Sequence, residues 1–256
     1  MRIKMTAIVV KSICTVVIAV ALLLAPVAGR ADTAKEKAQA SAELLVIINK
    51  VVNAYGGRAA IEKAKSVMAT GEISASVRGD NGTYTHYLKR EKKLRVETKY
   101  SRSSETRILN GSRGWRGVDT TKPAEVESFP LLAMVYQYKR LDLPYGLMMN
   151  RYTVYNVGDD TVAGVAVRIL ELHDSEGPPM RIAVEKKTFR IISVEGQFQM
   201  GDKATSLSVE YSDFRMVDGV LFPFRQVNYG GGMRIGENII KEYKVNPKME
   251  DSLFRP

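Results

Sequence analysis

The stretch Leu94-Arg95-Val96-Glu97-Thr98-Lys99-Tyr100 sets the fold class. Leu94, Val96, Thr98 and Tyr100 alternate with Arg95, Glu97 and Lys99, the two-residue period of a strand with one buried and one solvated face. That period begins at Val67 and returns along most of the chain. Runs at 105–109 and 114–118 flank Asn110-Gly111, a hairpin signal, and the intervening Ser112-Arg113 predicts a longer loop there. Runs at 152–156 and 166–172 flank Gly158-Asp159-Asp160, read as a turn. Runs at 181–186 and 191–200 flank a turn at 187–190, and Gly196 permits a bend in the second of them. Leu207, Val209 and Tyr211 alternate with Ser206, Ser208 and Glu210. Asp218-Gly219 turns the chain into 220–227, and Gly230-Gly231-Gly232 reads as a hairpin loop before the last strand, which holds Ile239, Lys241, Tyr243 and Val245. Strands spaced this regularly predict a twisted antiparallel sheet or barrel.

Two segments keep the helical period instead. Upstream, Leu44, Leu45, Ile48, Val51, Val52 and Tyr55 recur every three or four residues, and Gly56-Gly57 supplies a left-handed ending. A short helix follows over 58–65, and residues 32–41, polar and small, read as a flexible lead-in. In mid-chain, 129–150 holds Leu131, Leu132, Met134, Val135, Tyr136, Leu141, Leu143, Met148 and Met149. Its spacing is helical over 130–140 and broken at Pro144-Tyr145-Gly146. An apolar helix between two blocks of sheet is either a core helix plugging the barrel mouth or a mobile lid over a lipid-sized cavity. Unbranched Met134, Met148 and Met149 can repack against chains of varied shape. Both readings hold together if a ligand displaces the plug. Leu94, Val96, Phe198, Leu207 and Val209 would then form the cavity wall, with Leu131, Leu132, Met134 and Val135 facing them from the helix.

The chain has 256 residues, a formal charge of +10, one cysteine, one tryptophan and two histidines. A single cysteine excludes a disulfide framework and a multi-thiolate zinc site. Arg2, Lys4 and Lys11 precede an apolar run over 13–24, followed by small residues at Gly29 and Ala31, the pattern of a secretory signal peptide. Cleavage after Ala31, with Gly29 the alternative site, removes Arg2, Lys4, Lys11 and Arg30, which lowers the charge to +6, and removes Cys14 as well. An exported, thiol-free, mildly basic chain suits anionic lipid head groups better than nucleic acid, which is not an expected partner. There is no Gly-x-Ser-x-Gly elbow, His-Glu-x-x-His or Walker loop. His86 and His173 stand without a second ligand at metal spacing, so no metal, no cofactor and no enzymatic activity are expected.

Four stretches, in order, resemble the LolA/LolB-like carriers, the outer-membrane lipoprotein-sorting family. They are Asn53-Ala54-Tyr55-Gly56-Gly57-Arg58-Ala59-Ala60-Ile61 with Lys65-Ser66; Lys89-Arg90 through Leu94-Arg95-Val96-Glu97; Ile108-Leu109-Asn110-Gly111 with Gly114-Trp115; and Asp213-Phe214-Arg215, Val217-Asp218-Gly219-Val220 with Pro223, then Val245-Asn246-Pro247 and Asp251-Ser252-Leu253-Phe254. The resemblance implies an α+β, mainly β fold over 42–256. It is a strongly curved antiparallel half-barrel with an N-terminal helix and a helical lid or plug. It also implies a periplasmic, monomeric, non-enzymatic carrier or chaperone that shields acyl chains of lipoproteins or another lipid. An inner-membrane release complex and an outer-membrane acceptor are the partners it implies. The family's basic residue beside the lid falls on Arg90, which would bond helix carbonyls and release on loading; Glu91 stands where the family writes proline, and Trp115 falls on the cavity wall or, equally, is a plain core tryptophan. The alternative is an envelope lipid- or protein-binding sensor or accessory module of the same fold.

Overall fold

The computed structural model describes residues 28–77 and 79–256, with side chains described from Ser41 onward. The expected signal peptide, apart from its last four residues, lies outside the described residues. Helix α1 (Ala28–Ala54) includes 32–41, so the expected lead-in is helical backbone, in keeping with its Ala, Lys, Glu and Gln content. Ser41–Pro256 form one compact unit. No single helix among the described residues is long and apolar enough to cross a membrane.

After α2 (Gly57–Lys63) the chain lays down six strands: β1 (Ser66–Ala75), β2 (Asp80–Lys89), β3 (Lys93–Tyr100), β4 (Ser104–Asn110), β5 (Arg113–Val118) and β6 (Ala124–Val126). Two helices follow, α3 (Ser128–Leu141) and α4 (Leu143–Met148). Seven more strands complete the chain: β7 (Thr153–Val162), β8 (Val165–His173), β9 (Met180–Glu185), β10 (Ile191–Met200), β11 (Lys203–Val217), β12 (Val220–Gly230) and β13 (Met233–Val245). All thirteen form one antiparallel sheet in the order β6-β5-β4-β3-β2-β1-β13-β12-β11-β10-β9-β8-β7. The first six strands meander outward from the centre and the last seven meander back, joined where β1 pairs with β13. The edge strands β6 and β7 do not pair, so the sheet is unclosed. Because α3 and α4 connect those two edges, the chain has to cross the mouth of the sheet there. Helix α3 touches β4 and β5 on one arm and β10 on the other, which requires the sheet to curl around it.

Turn chemistry fixes the register. Ala163-Gly164, Asp218-Gly219 and Gly231-Gly232 are two-residue hairpin loops with both residues at positive φ, the type I′ geometry that matches strand twist. Gly158-Asp159-Asp160 is therefore strand with a bulge rather than the expected turn. The loop after Asn110 is also tighter than expected: Asn110 pairs with Arg113, leaving only Gly111 and Ser112 in the turn. Two of the family-like stretches meet, since a Cβ on Gly56 (φ 109°) would fall 2.0 Å from the Gly219 carbonyl oxygen. Asn246 ties the end of α2 to β1. Its Oδ1 accepts from the Lys65 and Ser66 amides at 2.7 and 3.2 Å, and its Nδ2 donates to the Lys63 carbonyl at 3.0 Å. The C-terminal turn Asp251–Phe254 seats Phe254, fully buried, against β3 and β4.

The concave face carries the core. Leu170, Ile182, Val194 and Val209 lie directly opposite one another across β8, β9, β10 and β11 and are at most 1% exposed. Each fully buried side chain of this kind contributes about 1.5–3 kcal/mol of transfer free energy. On the other arm Val67, Leu88, Leu94 and Leu109 form a matching row across β1 to β4.

Candidate functional site

The C-terminal half of helix α3 is enclosed on all sides. Seven consecutive residues, Met134 to Arg140, are buried, which on a helix means every face is covered. Met134, Val135 and Tyr138 pack into the core of the first arm, with Leu88, Leu94 and Leu109. Tyr136 reaches the second arm, where its hydroxyl donates to the Val194 carbonyl at 3.0 Å and its ring stands edge-on to Phe198. Gly196 makes this approach possible, because a Cβ there would lie 2.6 Å from the Tyr136 ring. The glycine expected to permit a bend thus clears space for the helix. Lys139 closes one flank through Asp174 at 2.7 Å and the Glu176 carbonyl at 3.0 Å.

The helix pair is fastened where α3 gives way to α4. Asp142, between them, is buried and accepts from Arg90 Nε at 2.8 Å, with Arg151 at 3.5 Å and the Tyr138 hydroxyl at 3.2 Å. Arg90, at the end of β2, also donates to the Ile61 carbonyl at 2.6 Å and lies 3.7 Å from the centre of the Tyr145 ring. One side chain therefore joins the sheet, α2, the α3–α4 junction and α4. Burial pushes the Asp142 carboxyl above its ordinary range, with Arg90 and Arg151 pulling the other way. Burial, with Asp142 alongside, pushes the Tyr138 hydroxyl up to about 12. Pro144 starts α4 instead of breaking a helix, so the expected break at 144–146 falls at Asp142.

Two cavities remain beneath the helices. One, of about 230 Å³, lies between α3 and strands of both arms, walled by Tyr84, Thr98, Gln137, Leu207 and Asn238. The other, of about 70 Å³, lies under the α3–α4 junction, walled by His86, Arg90, Asp142, Tyr211 and Gln226. Arg140 lines both. The concave face is thus divided in character: the β8–β11 arm is aliphatic, whereas β1–β3 and β11–β13 present Tyr84, His86, Thr98, Tyr211, Gln226 and Asn238. Burial, with Arg140 nearby, pushes the His86 imidazole down to about 3, so it is neutral. Its Nδ1 lies 3.2 Å from the Tyr84 hydroxyl.

No family model and no curated protein matches the sequence. Solved structures do match the fold. A LolA superfamily protein of Nitrosomonas europaea is similar at 15% identity and a TM-score of 0.52, over 77% of this chain and 96% of its own. The fold is LolA-like. A domain assigned to outer-membrane lipoprotein sorting, from Vibrio parahaemolyticus, aligns at 10% identity and a TM-score of 0.51, over 76% of this chain and 91% of that one. A DUF1329 family protein of Desulfovibrio piger aligns at 12% identity and a TM-score of 0.55, over 82% and 96%.

In this LolA-like half-barrel the expected wall and lid residues separate into two groups. Leu94, Val96, Met134, Val135, Phe198 and Val209 are buried on the concave side around α3, Met148 is buried with α4, and Leu131 and Leu207 pack against the same core half-buried. Arg90 meets the helix pair, although through a carboxylate and a ring; the carbonyl it bonds belongs to α2. Three expectations are corrected. Trp115 is not a wall residue. It pairs across the sheet with Ile108, whereas its neighbour Gly114 pairs with Leu109 and faces Leu131 and Met134, so Trp115 points to the convex side beside Arg113. Leu132 is 37% exposed, in the part of α3 that precedes full enclosure, and Met149 is 46% exposed where the chain leaves α4. Tyr84, Arg140, Asp142, Gln226 and Asn238 carried no assignment from the sequence, and His86 was expected to be an ordinary strand or loop histidine. One signal was present: Tyr136 and Arg140 are four residues apart and so share a helix face.

Proposed function

We propose that this chain is a non-enzymatic carrier of the cell envelope that binds the acyl chains of lipoproteins or of another lipid between α3 and the concave sheet. The observation that carries the reading is the helix pair itself. It spans the open mouth from one edge strand to the other, covers cavities, and is fastened at its midpoint by the Arg90–Asp142 pair. Exposing a chain to water costs about 0.8 kcal/mol per methylene, so an acyl group in aqueous transit needs such a cover. The cavities of about 230 and 70 Å³ are small beside the roughly 300–1,000 Å³ of sites that enclose whole ligands. Loading therefore requires α3 to move, and Met134 and Met148 are suited to repacking when it does. In this reading export delivers the chain to the periplasm, where membrane-bound release and acceptor proteins are its partners. The test is to purify the protein from the periplasm of cells that make it, extract it with organic solvent and analyse the extract by mass spectrometry. Acylated species near one per chain support the reading; empty extracts from repeated preparations overturn it.

A further inference from the structure

Among the described residues, one buried cation on the concave side has no acid to answer it. Arg140, in the last turn of α3, is 8% exposed and lines both cavities. Among the described residues no carboxylate oxygen lies within ion-pair distance of its guanidinium; its hydrogen-bond partner is the Tyr211 hydroxyl, at 3.0 Å. The carboxylates on the cavity walls are already shared. Asp142 serves Arg90 and Arg151, and Glu105 serves Arg116 at 2.7 Å and Arg107 at 3.7 Å. The carbonyls at the end of α3 offset part of the charge, yet the guanidinium Nη1 donates to the neutral Tyr211 hydroxyl. A buried charge without a counter-charge opposes folding, and a purely apolar chain gives no reason to keep one.

The surroundings are polar to match. Tyr211, Gln226 and Asn238 lie side by side across β11, β12 and β13. Thr98 Oγ1, Gln137 Oε1, Gln226 Oε1 and Asn238 Oδ1 are buried and receive no hydrogen bond from any described residue. All four belong to the walls of the two cavities that Arg140 joins. A guanidinium suits a carboxylate or phosphate, and buried acceptors suit the hydroxyl or N–H groups of the same molecule.

We propose that Arg140 receives the anionic head group, carboxylate or phosphate, of the amphiphile whose chain the half-barrel covers. This deepens the carrier reading and rests on it.

The experiment measures binding of hexadecanoate, hexadecanol and hexadecyl-trimethylammonium, each below its micelle concentration, with acetate and glycerol phosphate as heads without chains. For the wild-type chain we expect hexadecanoate to bind at least about tenfold tighter than hexadecanol, the range of a charge-assisted hydrogen bond, and the cation to bind weakest. Arg140→Met should lose that preference, keep hexadecanol binding, and unfold at no lower temperature than wild type, since it removes an unanswered charge. Arg140→Lys should retain part of the preference, and the wild-type comparison stands whether or not the methionine variant folds. Equal binding of hexadecanoate and hexadecanol, or an undiminished preference in Arg140→Met, overturns the head-group proposal and leaves the carrier reading intact. Acetate or glycerol phosphate binding as tightly as hexadecanoate also overturns it, because the site would then be one for a free anion. Binding of none of the three chains overturns both.

Discussion

Replacing Asp142 with Asn isolates the fastening of the helix pair. The Asp142 side chain is 3% exposed and that of Arg90 10%, so their 2.8 Å contact is largely out of water. Removing one partner of a buried pair costs about 3–5 kcal/mol. Asn keeps the shape and an acceptor, and Arg90 keeps the Ile61 carbonyl and the Tyr145 ring, which places the expected loss lower, at about 2–3 kcal/mol. The pair exists only while α3 and α4 cover the mouth, so the loss falls on the covered state alone. At about 1.4 kcal/mol per tenfold, the uncovered state gains about 30- to 150-fold in relative population. An acyl ligand that must displace α3 should bind more tightly by up to that factor. The same loss should lower the melting temperature by roughly 5–10 °C for a domain of this size. The assay is a fluorescent acyl-chain titration beside a thermal melt, for wild type, Asp142→Asn and the double variant Arg90→Met/Asp142→Leu. The double variant removes both charges and should recover most of the stability. An unchanged melting temperature in Asp142→Asn would refute the energetic reasoning. A lowered melting temperature with unchanged affinity would show that ligand enters without moving the helices.

Further consequences are as direct. Gly196→Ala puts a methyl group 2.6 Å from the Tyr136 ring, which the hydroxyl's bond to the Val194 carbonyl and the edge-on Phe198 ring hold in place; a loss of about 1–3 kcal/mol in urea unfolding is expected, with faster amide exchange confined to α3. Because the His86 imidazole is lowered to about 3 in the fold, against an ordinary value near 6.5, the stability that comes from its staying neutral is complete above pH 6.5. It is lost as pH falls from there toward 3. Unfolding free energy should therefore drop by roughly 2–3 kcal/mol between pH 7 and 4.5 on account of this residue, and His86→Gln should flatten that slope; a slope identical to wild type would contradict the assignment. Asn246→Ala removes three hydrogen bonds that join α2 to β1 and should cost about 1–2 kcal/mol, read from the denaturation midpoint at unchanged m-value.

The sheet was legible in the sequence because its two signals are local. Alternation such as Leu94-Arg95-Val96-Glu97 marks a strand wherever it lies, and Asp218-Gly219 or Gly231-Gly232 admits few backbones other than a tight hairpin. The facing of individual side chains was less legible, because it depends on register. A longer loop after Asn110 leaves the phase of β5 open; the two-residue turn at Gly111-Ser112 fixes it, turning Gly114 inward and Trp115 outward. The plug was visible in the apolar content of 129–150, but its polar interior was not. Lys139 and Arg140 stand near a helix C-terminus, where cations ordinarily face solvent and complement the helix dipole. Only the crossing of the mouth by α3 encloses them. Tyr84 and His86 likewise sit in a strand whose other face is also polar, so alternation could not assign them to the inside. Gln226 and Asn238 sit opposite faces that hold apolar residues, Leu221 and Val227 in β12 and Ile239 in β13, so alternation did not favour their side.

The central claim, that α3 and α4 are a cover displaced by an acyl ligand, is tested most directly by a distance. Spin labels on Leu132, exposed on α3, and on Met200, exposed at the end of β10, in a chain carrying Cys14→Ser, report the separation of helix and sheet by pulsed electron paramagnetic resonance. A single short distance is expected without ligand, and a longer one that grows with stoichiometric addition of acyl ligand. An unaltered distance distribution in a sample shown to hold one acyl ligand per chain would contradict it.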